Sequence, residues 1–284
     1  MNDNRPNPDE ILKKIQSEEE NSESPKKGHL KIFLGFCAGV GKTYHMLEEA
    51  RVAVKSGINV VIGIAETHGR IETEALLEGL TIIPRKKIEY NSITLEEMDI
   101  DRILELKPKL VLVDELAHTN VTGSRHEKRY QDVEELINAG INVFTTLNIQ
   151  HIESLIDVIQ QISYVKIHET VPDNILELAD EIELIDLTPE KLLERLQEGK
   201  VYIPEKARMA MQKFFRKGNL LALRELSLRY TAKRVDEDML TYKHRFSIKT
   251  PWPVDSKLLV GFSTSPTSER LLRITHRMAS DKNA

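Results

Sequence analysis

The sequence predicts an α/β domain: a doubly wound, mainly parallel sheet followed by a C-terminal helical annex. Three observations carry this reading. Between residues 29 and 187, short and nearly all-apolar runs alternate with stretches of helical period. Those runs lack the in–out alternation of a half-exposed sheet, so both faces of each strand are expected to be buried. From Pro189 to about residue 240 the strand signals stop and helical patterns take over.

The expected strands are LKIFLGF (30–36), NVVIGIAETH (59–68), KLVLVDELAH (109–118), INVFTTLNIQH (141–151) and EIELIDL (181–187). Helical patterns fill the gaps at Thr43–Ser56, Glu72–Gly79, Leu95–Leu106, Glu127–Ala139 and Ile152–Ile162. In the annex, PEKLLERLQEGK starts with Pro189 in its first turn and closes near Gly199, a favoured order of helix signals. Glu205–Met239 reads as one or two helices, with Gly218 marking a break. Leu220, Leu221, Leu223, Leu226 and Leu228 supply an apolar stripe there.

Composition sets the boundaries. Residues 1–28 are rich in Asn, Glu, Ser, Pro and Lys and lack apolar periodicity beyond ILKKI. They are expected to form a disordered lead-in holding at most one short helix. Residues 29–240 form the α/β domain, with the annex beginning at about 189. A linker is expected over 241–255, around Pro251-Trp252-Pro253. Residues 256–284 then offer one strand and one helix, too little to bury a core alone. They are expected to be the truncated start of a further domain.

The net charge of −5 gives no general reason to bind nucleic acid. The charge is uneven, however: residues 203–245 carry eleven Lys/Arg against five Asp/Glu. This basic region would serve as a docking face for an anionic surface, or simply as a solvated helix. It lacks interleaved aromatic platforms, so a nucleic-acid groove is not expected. The single cysteine, Cys37, excludes a disulfide within the chain and a Cys-rich metal site. Its expected role is a small buried filler. No apolar run approaches the roughly 20 residues that a membrane helix needs. With a polar N-terminus as well, the expected compartment is the cytoplasm.

The chemistry concentrates where the first strand hands over to the first helix, at CAGVGKT. Backbone N–H groups of such a glycine-rich turn point at phosphate oxygens beside the positive end of the helix. Gly39, Val40, Gly41, Lys42 and Thr43 are thus the expected ATP-binding residues. Lys42 would reach the β/γ-phosphates and the Thr43 hydroxyl would hold Mg²⁺. Together with the sheet, this is a P-loop NTPase-like pattern. One departure is Phe36, which stands where G-x-x-x-x-G-K-[ST] wants a small residue, while Gly35 lies one place early. A Phe36 that points into the core would be tolerated; otherwise it would narrow the phosphate loop.

A P-loop site also needs a carboxylate at the end of a neighbouring strand. Asp114, after the apolar run 110–113, is expected to complete the Mg²⁺ shell with Thr43. Glu115 follows it, where a general base would activate a nucleophile. Arg125 and Arg129, a little further on, are candidates to neutralise charge on the γ-phosphate. Other strand-end residues include Glu66, Thr67, His68, Gly69 and Arg70, together with His118, Asn148, Gln150 and His151. Each histidine alone is more often structural than catalytic, and their scatter gives no metal-ligand spacing. No Asn-Lys-x-Asp follows a strand, so ATP is expected rather than GTP.

The runs GHLKIFLGFCAGVGKT, ETHGR, DELAHTN, GSRHEKRYQDVEELINAGINVFTTLNIQHIESL, ETVPD and FFRKGNLLALRELSLRYTA resemble the N-terminal cytosolic domain of the KdpD family of potassium-responsive sensor kinases. The resemblance spans about residues 28–240. KLLVGFSTSPTSERLLRITHRMA resembles the first strand and helix of the universal-stress-protein domain that follows in that family. This implies a regulatory ATP-binding module that modulates kinase signalling or potassium uptake, with kinase domains or the potassium pump as partners. The family's motif positions map onto Gly41, Lys42, Thr43 and Asp114. Some relatives bind a cyclic dinucleotide in the stress-protein domain, near where Ser263, Ser265 and Ser268 stand here. The membrane helices, the phosphoacceptor histidine and the kinase domains of that family have no counterpart in this sequence. Two alternatives stay open: an atypical Ser/Thr kinase or slow ATPase using the same site, and an interaction scaffold with a vestigial P-loop.

Overall fold

The computed structural model describes residues 27–90, 93–199, 201, 214–246, 259–261, 263, 265 and 268–282. They fall into two compact units divided between Ala232 and Lys233. In the first unit the strands are β1 (Leu30–Gly35), β2 (Val60–Ile64), β3 (Thr81–Ile82), β4 (Lys86–Tyr90), β5 (Ile93–Glu97), β6 (Leu110–Val113), β7 (Asn142–Asn148) and β8 (Glu181–Ile185). Six of them form one sheet in the order β3-β2-β6-β7-β1-β8, and every neighbouring pair is parallel. The expected α/β class and parallel sheet are therefore present. β1, β2 and β6 are buried along their whole length. That is why their sequences are continuous apolar runs rather than alternating ones.

Lys31 is the exception within β1. Its ammonium lies 2.7 Å from Glu49, 2.9 Å from Glu181 and 2.9 Å from Glu183. Burial works against the charge, but the hydrogen bonds to these carboxylates outweigh it and raise the pKa of Lys31.

The helices are α1 (Lys42–Lys55), α2 (Ile71–Glu74), α3 (Ile100–Leu106), α4 (Arg129–Asn138), α5 (Ile156–Ser163), α6 (Asp173–Glu177), α7 (Pro189–Gln197), α8 (Lys217–Arg245) and α9 (Ser268–Lys282). The helix expected over Leu95–Leu106 divides. Its first part is strand β5, paired antiparallel with β4 so that Lys86 faces Glu97 and Lys87 faces Glu96. Opposite charges across the two strands favour this pairing over a helix. Asp99 then caps α3 by accepting from the N–H of Arg102 at 3.1 Å.

Gly28 does not belong to a free lead-in, because its N–H donates to the Ile137 carbonyl at 2.8 Å. The rest of the expected lead-in, residues 1–26, lies outside the described residues. In the annex, Thr188 caps α7 and Pro189 opens it. Gly218 falls in the first turn of α8, and the helix runs to Arg245, five residues into the expected linker. Residues 202–213 and 247–258 lie outside the described residues, and with them the start of the helix expected from Glu205. Leu220 and Leu223 are buried, whereas Leu221 and Leu228 are exposed, so only part of the expected stripe faces inward. α8 is tied back by a bidentate Arg224–Asp186 pair at 2.7 and 2.6 Å and by Lys217–Glu190 at 2.7 Å.

Much of the basic surplus is met locally, since Arg229, Lys233 and Arg234 also pair with acidic residues one turn away. In the second unit the expected terminal helix is α9. Leu259, Val260 and Gly261, from the strand expected before it, have no strand pairing. Ser268 and Ser263 bond each other ahead of α9, with Ser268 Oγ donating to the Ser263 carbonyl at 2.7 Å.

Candidate functional site

β1 ends at Gly35, and the chain turns through the glycine-rich segment into α1. A Cβ on Gly35 would sit 2.7 Å from Val40 Cγ2 and 3.0 Å from Lys42 Cδ. Glycine there lets the loop and the lysine stem fold back over the strand end. Phe36 is fully buried in the core, so the bulky side chain at the first motif position does not narrow the loop. Gly39 has φ 89°, and a Cβ on it would meet Val201 Cγ2 at 2.6 Å. Gly41 caps α1 with φ 111°, no side-chain cap and no acidic residue in the first turn. The loop therefore ends on a helix start whose leading N–H groups have no local carboxylate. Cys37 is buried beneath the loop, and burial pushes its thiol up to about 12, which keeps it protonated.

Lys42 is 8% exposed. Its ammonium donates to the Cys37 carbonyl at 3.2 Å and to Asn148 Oδ1 at 2.5 Å. Both partners are uncharged, and burial lowers the pKa of the group. Opposite it, Asp114 at the end of β6 is 1% exposed. Its carboxylate accepts from Thr43 Oγ1 at 3.0 and 3.3 Å, from the Glu66 N–H at 3.0 Å and from Thr146 Oγ1. β7 lies between β1 and β6, which is how Thr146 and Asn148 come to stand between the loop and Asp114. The Thr43 hydroxyl and the Asp114 carboxylate form a hard-oxygen pair of the kind Mg²⁺ takes, and the left-handed loop fits a polyphosphate. The residues present therefore fit Mg-ATP.

Glu115 has φ 56°, a left-handed conformation that is costly for a residue with a side chain. The Asp114–Glu115 peptide is pinned from both sides. Its N–H donates to Asp114 Oδ1 and Thr146 Oγ1, each at 3.1 Å. Its carbonyl accepts from Arg129 at 3.0 Å. The resulting Glu115 side chain faces His68, another left-handed residue at φ 51°, with 3.7 Å between ring nitrogen and carboxylate. His68 holds the Glu115 carboxyl below its ordinary range, and Glu115 in turn raises the pKa of His68. Both line the cleft, with Arg70, Asn148 and His151.

Two expected residues are elsewhere. Arg129 is 2% exposed and turned away from the cleft interior. Its guanidinium pairs with Glu97 at 3.2 Å while holding the Asp114 carbonyl, so it is a positioning residue rather than a γ-phosphate contact. Arg125 pairs with Asp101 at 2.8 Å and with Glu135, outside the cleft. Its charge is satisfied by those carboxylates. His118 serves the same support: it meets Glu97 at 2.9 Å. His151 is half-buried, and desolvation lowers its pKa. Its Nδ1–H donates to the Glu169 carbonyl at 2.8 Å. Thr67 bonds Glu74, Glu66 pairs with Arg85, and Gln150 lines a neighbouring pocket. Thr146 and Glu97 were not among the expected residues. A visible signal for Thr146 was the pair of threonines inside an otherwise apolar, doubly buried strand. Glu97 gave no such signal.

A parallel sheet, a glycine-rich turn into a Lys-Thr helix start and an aspartate at the end of a nearby strand define a P-loop-like α/β domain. More particularly, the chain belongs to the family described as "KdpD: Osmosensitive K+ channel His kinase sensor domain", whose model matches residues 26–235. A sensor protein KdpD of Escherichia coli is 48% identical over 276 residues, covering 97% of this chain and 30% of that protein. The Clostridium acetobutylicum sensor protein is 46% identical over 279 residues, covering 98% and 31%. A Synechocystis relative is 48% identical over 259 residues, covering 91% and 69%. The chain thus spans under a third of the first two relatives. Among the described residues, no helix is long and apolar enough to cross a membrane.

Proposed function

We propose that the chain is the regulatory nucleotide-binding module of a potassium-responsive sensor system and takes Mg-ATP in its P-loop cleft. The observation that carries this reading is the buried Lys42, whose two hydrogen-bond partners are uncharged. A buried ammonium without a counter-charge in contact is costly, and an anion in the cleft relieves it. Lys42 would hold the β/γ-phosphates, the loop N–H groups would cradle them, and Thr43 with Asp114 would hold the metal. Bound Mg²⁺ would supply charge neutralisation across the phosphates. The module would act in the cytoplasm on kinase domains or on a potassium pump; membership of a His kinase sensor-domain family supports the first of these partners. Calorimetric titration tests this: Lys42→Ala is expected to weaken Mg-ATP binding by well over tenfold. Equal affinity in both proteins would refute the site.

A second reading is favoured by Glu115, which is held ionised and in a strained conformation at the cleft wall. Strain concentrated at a site of this kind accompanies function. Glu115 would accept a proton from water or from a protein hydroxyl, giving slow hydrolysis or transfer to Ser or Thr of a partner. Radiolabelled γ-phosphate release and transfer by Glu115→Gln decides it: turnover is expected to fall at least about a hundredfold with ATP affinity retained. Undiminished turnover would exclude Glu115 as the base.

A further inference from the structure

Helix α7 packs directly on the phosphate loop. Leu192 is fully buried, and its Cδ1 lies 3.2 Å from where a Gly39 Cβ would stand; Val201, just past the helix, lies closer still. One turn beyond Leu192, on the same side of the helix, Arg195 reaches the other end of the loop. Its guanidinium is 3.7 Å from the Cβ position of Gly41, beside His45 in the first turn of α1; it stands next to a cleft residue without itself lining the cleft.

That is an unfavourable place for a lone cation. The start of α1 carries the positive end of the helix dipole and has no acidic residue in its first turn. Lys42, a second cation, is the next residue along. Among the described residues, no carboxylate pairs with Arg195, whereas Lys217, Arg224, Arg229, Lys233 and Arg234 further along the chain all have one. Neither Lys42 nor Arg195 is in direct contact with a carboxylate, so an anion on the loop would meet two cations beside a helix start.

We propose that Arg195 is a phosphate-binding residue of the nucleotide site, closing on the polyphosphate from the α7 side while Lys42 holds it from within. This rests on the P-loop reading above. It gives the annex a direct hold on the ligand: α7 is joined to α8 through Glu190 and Lys217, so occupancy of the cleft is transmitted to the annex through one side chain. It also replaces the expected Arg125 and Arg129 with an arginine 66 residues beyond Arg129, which no spacing rule in the sequence marks.

Calorimetric titration of the full chain with Mg-ATP tests the assignment, using Arg195→Ala, Arg195→Lys, Lys191→Ala and Lys42→Ala. Arg195→Ala is expected to weaken binding about tenfold or more, the scale of a charge-assisted hydrogen bond to phosphate. Arg195→Lys should restore part of it, and Lys191→Ala, an exposed change on the same helix, should match the unaltered protein. The melting temperature of Arg195→Ala without nucleotide should be unchanged. Unaltered affinity in Arg195→Ala beside a loss in Lys42→Ala would overturn this inference alone. A fall in ligand-free melting temperature, with no restoration by lysine, would assign Arg195 a packing role and overturn it too. No binding by the unaltered chain would remove both this inference and the P-loop reading.

Discussion

Lys42 and Asp114 face each other across the cleft as buried charges whose contacts are all with uncharged groups. Such a pair is poised for a metal and an anion of opposite sign. Asp114→Asn keeps the hydrogen bonds from Thr43 in reach but removes the charge. It is expected to abolish the Mg²⁺-dependent part of ATP affinity, measured by titration with and without chelator. Behind this pair, Glu97 and Arg129 form a buried ion pair with 5% and 2% of their side chains exposed. Removing one partner strands the other, so Glu97→Ala should destabilise the fold by about 3–5 kcal/mol in urea unfolding. Burial alone would raise the Glu97 pKa, yet the hydrogen bond from His118 and its neighbours bring it below the ordinary value. A depressed carboxyl stabilises above its unfolded pKa and loses that contribution as pH falls through the folded one. Stability should therefore drop below about pH 4.5 in the unaltered protein, and that part of the drop should vanish in Glu97→Ala. The motif residues were legible in the sequence because their spacing is fixed by backbone geometry. Arg129, Glu97 and Arg195 were not, because their roles depend on which elements the tertiary fold brings together.

At the scale of elements, the phosphate loop holds its shape through glycines and through α7 seated on it. Gly39→Ala imposes two penalties: a left-handed φ of 89° and a 2.6 Å approach to Val201. Adding Val201→Ala removes the second and leaves the first. The single variant is expected to lose more ATP affinity than the double variant, with the double still below the unaltered protein by about 1 kcal/mol. Equal affinities in the single and double variants would show that Val201, just past α7, does not constrain the loop. The strands of the sheet were readable because burial on both faces forces continuous apolar runs. The antiparallel pair β4 and β5 was missed: ITLEE carries leucine and glutamates that suit a helix, and only its pairing with KKIEY decides otherwise. Phe36 shows the converse. The sequence left its direction open, and the core supplied it, with Gly35 giving the close approach one residue early.

For the whole molecule, ligand binding to the folded form alone must raise stability by mass action. At a hundred times its dissociation constant, Mg-ATP should stabilise the unit ending at Ala232 by about 2.7 kcal/mol. Differential scanning calorimetry should then show a nucleotide-dependent transition, absent in Lys42→Ala. The most direct measurement is a crystal structure of the chain with Mg²⁺ and a non-hydrolysable ATP analogue. The account predicts the polyphosphate on Gly39–Thr43, the metal between Thr43 Oγ1 and Asp114, and Glu115 facing the γ-phosphate end. An analogue bound elsewhere, or a metal that avoids Asp114, would contradict it.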